Sequence, residues 1–138
     1  MTVKVLDSWA LMALFNDEPA ADAVQELLVR AAEHHEHLLL CVINWAEIYY
    51  SVSRGQSPEA AEEKARQVGE LPIELVPVDT DLALARQAAI LKATYRLSLA
   101  DAFAAALAKL RKAELVTGDP EFKPLAREIK IRWLPAGE

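Results

Sequence analysis

A structural disulfide within this chain is excluded, because it holds one cysteine, Cys41, inside the apolar run Leu38 to Ile43. A lone cysteine is most simply a small buried hydrophobe and suits a reducing compartment. Also missing are a signal-peptide pattern at the start Met-Thr-Val-Lys and any uncharged apolar run near the roughly 20 residues that cross a bilayer. The expectation is a soluble, cytoplasmic protein with no membrane partner. Basic residues are outnumbered, 15 Lys and Arg against 21 Asp and Glu, giving a formal charge of -6 and a pI near 5.1. Broad non-specific binding to nucleic acid needs a basic surface, so the balance argues against that class. The sequence has neither an internal repeat nor a low-complexity segment.

What is present is apolar material in quantity: 138 residues, 53% of them hydrophobic, enough for one domain over residues 1–138 with one core. Val3-Lys4-Val5-Leu6 reads as a buried strand ending at Asp7-Ser8, and Trp9 to Phe15 carries apolar residues at helical spacing. After the break at Asn16 to Pro19, a helix is expected from Ala20 to Ala31, then a polar loop at His34-His35-Glu36-His37. That histidine cluster lacks the i, i+4 geometry of a helical zinc site. Leu38 to Ile43 reads as a second buried strand, and Asn44-Trp45-Ala46-Glu47 as a capping box opening a helix that Gly55 ends. Ser57-Pro58-Glu59 begins the next helix, to about Leu71.

Pro72 to Val78 follows as a strand whose prolines suit a sheet edge. Asp79-Thr80-Asp81 should cap a helix through Tyr95, and Leu97 to Asp101 opens an alanine-rich helix through Lys112. Glu114 to Thr117 is a short strand breaking into Gly118-Asp119-Pro120, and Ile129 to Trp133 alternates like a last, half-exposed strand. Strands separated by helices predict a three-layer α/β/α domain with a mostly parallel sheet of four to five strands.

Four acids, Asp7, Glu47, Asp101 and Asp119, fall just after strands or at helix starts. Each has an ordinary explanation as a cap or capping-box residue. Their joint placement suggests more, since a parallel sheet gathers its strand ends along one edge, where ligands collect. Converging carboxylates ~5 Å apart would repel by roughly 3 kcal/mol per pair at an effective dielectric of 20. Helix N-termini return only ~0.3 to 1 kcal/mol each. A divalent cation is the economical remedy, and an all-oxygen donor set suits Mg²⁺ or Mn²⁺ rather than Zn²⁺.

Asp7-Ser8 after the first strand, Glu47 in Ile43-Asn-Trp-Ala-Glu47, Asp101 in Leu97-Ser-Leu-Ala-Asp-Ala-Phe103 and Asp119 in Thr117-Gly-Asp-Pro-Glu-Phe122 together resemble a PIN domain. Over nearly the full length, the order resembles VapC-type toxins of type II toxin-antitoxin pairs. The resemblance implies a Mg²⁺- or Mn²⁺-dependent endoribonuclease, usually dimeric and inhibited by a cognate antitoxin. It maps metal-binding and catalytic roles onto Asp7, Glu47, Asp101 and Asp119, with Ser8 and Thr117 as hydroxyl partners. Many relatives carry Ser or Thr where Asn44 stands.

The expected chemistry is in-line attack of metal-activated water on an RNA phosphodiester, with Asp7 and Asp101 as principal ligands. Arg54, Arg86, Lys92, Arg96 and Lys109 are candidates for phosphate contact, against the simpler reading of solvated helix faces. Trp9, Trp45, Tyr49 and Tyr50 are candidates for base stacking or antitoxin contact, against core or interface packing. Two rival classes stand beside this reading. One is a metal-dependent phosphatase or phospho-accepting domain using Asp7 as nucleophile, which wants a lysine near the phosphate. The other is a non-catalytic PIN-like module that binds protein or RNA without cutting.

Overall fold

The computed structural model describes residues 2–136. Five strands, β1 (Thr2–Leu6), β2 (Glu36–Cys41), β3 (Ile73–Val76), β4 (Glu114–Thr117) and β5 (Ile131–Trp133), form one sheet in the order β3-β2-β1-β4-β5. Every pairing is parallel. Between them run α1 (Ser8–Phe15), α2 (Ala21–Ala32), α3 (Val42–Gly55), α4 (Pro58–Glu70), α5 (Ala83–Thr94) and α6 (Leu99–Arg111), with a 3-10 helix over Pro120–Arg127. Among the described residues, no helix is long and apolar enough to cross a membrane.

Alternation along the central strands divides the interior into two cores. Val5, Leu39, Cys41 and Leu115 pack toward α5, α6 and the 3-10 helix. Leu6, Leu38, Leu40 and Val116 pack toward α1 to α4 on the other face. This is the α/β/α layering expected of continuous apolar strands covered on both sides. In α6, every residue from Ala100 to Ala108 is buried, which its alanines permit by letting the helix lie close to its neighbours.

The strand order fixes where a ligand would go. The chain builds outward from β1 to β3, then returns past β1 to lay down β4 and β5 on its other side. The direction therefore reverses between β1 and β4, and open α/β sheets bind ligands at the carboxyl ends of strands beside such a reversal. Asp7 follows β1, and Thr117 to Asp119 close and follow β4.

Several local expectations are corrected. β2 ends at Cys41, and α3 begins at Val42 without a side-chain cap, so Asn44 lies inside the helix, fully buried. The capping box Asn44 to Glu47 therefore does not exist. The polar loop is shorter than expected, because Glu36 and His37 belong to β2 and Glu36 is buried against Lys4. α5 starts at Ala83 after Leu82 in a left-handed conformation, although Asp81 still accepts the Ala83 amide at 2.9 Å. β3 does occupy an edge, over Ile73–Val76 only, and β5 is confined to Ile131–Trp133.

Candidate functional site

Asp7 is an N-cap and something more. Its Oδ1 accepts the Ala10 amide at 2.9 Å, completing the first turn of α1. Its Oδ2 accepts the Thr117 hydroxyl at 2.5 Å, which ties the end of β1 to the end of β4. The same hydroxyl oxygen accepts the Asp119 amide at 3.0 Å. Asp119 in turn caps the 3-10 helix by accepting the Glu121 amide at 2.9 Å. Thr117 thus couples two of the four acids. Asp101 arrives from the opposite layer in the first turn of α6, its amide held by the Ser98 hydroxyl at 3.1 Å.

These residues meet at a cleft of about 380 Å³ lined by Ser8, Trp9, Met12, Glu47, Ser51, Ser98, Asp101, Asp119 and Glu121. No lysine or arginine is among them. Asp7 lies beneath, 1% exposed, and Asp101 is 9% exposed. Burial, reinforced by the charges of Asp101 and Asp119, raises the Asp7 carboxyl to about 7 despite the bonds from Thr117 and Ala10. Burial is also the main cause for Asp101, pushed to about 7 with help from Asp119, Glu47 and Glu121 and against the Ser98 hydroxyl. Two acids here thus hold their protons up to near-neutral pH, because nothing cationic compensates them.

Glu121 is a member of this cluster that sequence reasoning did not single out. Asp101, Asp119 and Glu121 each present a carboxylate oxygen, all within 4.8 Å of one another. The signal was the Asp-Pro-Glu tripeptide: once Asp119 caps a helix, Pro120 and Glu121 form its first turn and face the same end. Carboxylate oxygens bound to one dication at ~2.1 Å stand at most about 4 Å apart, so the 4.8 Å span is somewhat wider than direct ligation allows and suits Mg²⁺ or Mn²⁺ once the side chains draw in slightly or water bridges one of them. With no nitrogen or sulfur donor in the group, a hard cation is the chemical match.

Of the other candidates, Ser8 and Trp9 line the cleft and the rest do not. The Ser8 hydroxyl donates to the Asn44 carbonyl at 3.2 Å rather than to a carboxylate. The Arg54 guanidinium sits 5.1 Å from the centre of the Tyr50 ring, whose hydroxyl reaches Glu47 at 3.4 Å. Lys92 donates to the Leu97 carbonyl at 2.8 Å, and Lys109 pairs with Glu128 at 2.8 Å. Arg86 and Arg96 are exposed on α5 and on the turn before α6. Trp45 stacks on Tyr49 with ring centres 5.6 Å apart, away from the acids. Trp9 alone of the candidate aromatics lines the cleft, and its benzo ring presses on Gly118 so closely that a Cβ there would lie 2.2 Å from it. Gly118 is thus required by its neighbour and not by a left-handed backbone.

Comparison with known proteins gives a consistent answer. The family model described as "PIN domain" matches residues 4–128. Among solved structures, the chain resembles VapBC2 from Rickettsia felis bound to a fragment of its promoter DNA, at 17% identity and TM-score 0.73, covering 97% of this chain and 100% of that one. DNA-bound VapBC from Salmonella typhimurium aligns at 16% identity and TM-score 0.71, covering 96% and 98%. VapC20 from Mycobacterium tuberculosis, described as a toxin that cleaves the sarcin-ricin loop, aligns at 17% identity and TM-score 0.70, covering 94% and 98%. No curated protein matches the chain in sequence.

Proposed function

Because the chain belongs to the PIN domain family, we propose that it is a metal-dependent endoribonuclease, the toxin of a type II pair restrained by a cognate antitoxin. The observation that carries this reading is the cleft itself, where two buried carboxyls and at least three more acids converge with no basic side chain lining it. Such an arrangement costs stability unless a cation completes it, and a domain has only ~5 to 15 kcal/mol in total. Its similarity in fold to a structure described as a toxin-antitoxin complex supports an antitoxin as partner.

In this reading Asp101, Asp119 and Glu121 would hold Mg²⁺ or Mn²⁺, with Asp7 and Glu47 completing the shell directly or through water. A cation held there supplies Lewis acidity, which polarises a phosphodiester and makes water a competent nucleophile near neutral pH. The chain's own contribution is positional. Thr117 keeps the Asp7 carboxylate turned toward β4 and fixes the loop bearing Asp119 through its amide. Glu47, at the rim, would orient the attacking water and take its proton when not itself a ligand. Trp9 and Met12 give the cleft an apolar wall against which a nucleobase stacks. Phosphate contacts fall to Arg54, which lies over the Tyr50 ring whose hydroxyl reaches Glu47, and to the exposed Arg86 and Arg96. Lys92 is already committed to a backbone carbonyl.

The phospho-transfer alternative loses its required lysine. Lys4, in the same strand as Asp7, is bound to Glu36 and Glu114, which begin β2 and β4 at the other end of the sheet. Incubating the purified protein with RNA, with and without Mg²⁺ or Mn²⁺, should give cleavage only with metal. Cleavage that survives both EDTA and Asp7→Asn overturns the proposal.

A further inference from the structure

Asn44 is fully buried within α3 and belongs neither to the acid cluster nor to a helix cap. Its Nδ2 donates to two acceptors on two other elements, Ser8 Oγ at 3.3 Å and the Ala100 carbonyl at 3.1 Å. The Ser8 hydroxyl donates back to the Asn44 carbonyl at 3.2 Å. Each partner is the immediate chain neighbour of a candidate ligand: Ser8 follows Asp7, Ala100 precedes Asp101, and Asn44 lies three residues before Glu47 on α3. One side-chain amide therefore joins the helix starts that deliver three of the four sequence-predicted acids.

The amide is also incompletely satisfied, since Asn44 Oδ1 is buried without a hydrogen-bond partner. Rotating the amide would not help, because Ala100 offers only an acceptor and needs the NH₂ group. An unpaired buried acceptor carries a desolvation penalty that an apolar side chain of similar size would avoid. A residue kept solely to stabilise the packing of three helices would not need to carry it. We propose that Asn44 is a positioning residue of the metal centre, a clamp that holds α1, α3 and α6 at the mutual spacing in which Asp7, Glu47 and Asp101 act on one cation. It rests on the metal-dependent reading above, and it extends that reading to a side chain that touches no ligand.

The test uses the full chain with Asn44→Leu, close in size but without donors, and Asn44→Ala as a second variant should leucine fail to fold. Asn44→Ser, which restores one hydroxyl donor, is the conservative rescue. Amide hydrogen exchange on the metal-free protein reports the clamp directly: exchange at Ala102 and Phe103, near the start of α6, should quicken in Asn44→Leu. Titration with Mn²⁺ alone should then show a dissociation constant raised by ~10-fold or more, the range that supporting residues of metal sites command, and partly restored in Asn44→Ser. Unchanged exchange overturns the clamp whether or not the protein binds metal. Quickened exchange with an unchanged Mn²⁺ constant reduces Asn44 to a structural role and also overturns the proposal. Absence of Mn²⁺ binding by the parent protein instead overturns the nuclease reading, and the exchange result still decides the clamp.

Discussion

The two ends of the sheet treat buried charge in opposite ways. At the amino end of the strands, Lys4 lies 3.1 Å from Glu36 and 3.4 Å from Glu114, with Arg30 on Glu36 at 3.4 Å and Lys130 on Glu114 at 3.7 Å. Thr2 adds a hydroxyl to Glu36. Burial alone would push the Glu36 carboxyl up, yet the bonds from Thr2 and Lys4 overcome it and hold the carboxyl below its usual range. At the carboxyl end, deeper burial meets no cation among the described residues, and Asp7 and Asp101 rise to about 7. Desolvation opposes ionisation at both ends and is stronger at the carboxyl end, and only the amino end sets cationic partners against it. The amino end brings its own counter-charges, and the carboxyl end has none, a role the proposed function gives to a cation.

The contrast is sharpest as a function of pH. Asp7 and Asp101 bind protons more tightly folded than unfolded, so their contribution to stability is complete below about pH 4 and is lost as pH rises toward 7. A rise from 3.8 to about 7 in even one of them is worth about 4 kcal/mol. Urea midpoints of metal-free protein should therefore fall between pH 4 and 7, and Mn²⁺ should restore them near pH 7.5. A flat profile without metal would make the two ends alike. At the amino end, Glu36→Ala should cost about 3 kcal/mol by leaving Lys4 short of its main partner, whereas Lys4→Met with Glu36→Leu should be close to neutral. Denaturant unfolding of the three proteins measures this, and cleavage activity should track only the folded fraction.

Asp7→Asn separates capping from metal binding, because Asn caps helices as well as Asp does. Activity should fall more than ~100-fold, beyond what supporting residues cost, while metal-free stability at pH 7 holds or improves. Thr117→Val should be milder, at about 10-fold in activity, since it removes the bond to Asp7 and leaves the carboxylate in place. Its Mn²⁺ titration should weaken in parallel, and equal affinity would detach Thr117 from the site.

The amino-end network was illegible in the sequence because Lys4 and Glu36 are joined only by strand pairing, and Glu36 looked like part of a polar loop. The acids at the other end were legible because the sheet itself collects strand ends, so Asp7 and Asp119 could be placed from β1 and β4 alone. Asn44 was misread because α3 starts at Val42 with no polar cap. Inside the apolar stretch from Leu38, the first polar side chain looked like the helix start and was instead an interior tether. Glu121 escaped because its closeness to Asp119 comes from the cap itself, in which Asp119 Oδ1 accepts the Glu121 amide, and not from helical spacing.

The contact between Trp9 and Gly118 restricts how this sequence can drift. Any side chain at position 118 meets the indole, so alanine there becomes acceptable only after position 9 has shrunk. A small residue at position 9, arriving first, strips the cleft of its apolar wall while the glycine still leaves a gap behind it. Neither member of the pair therefore has an easy first substitution.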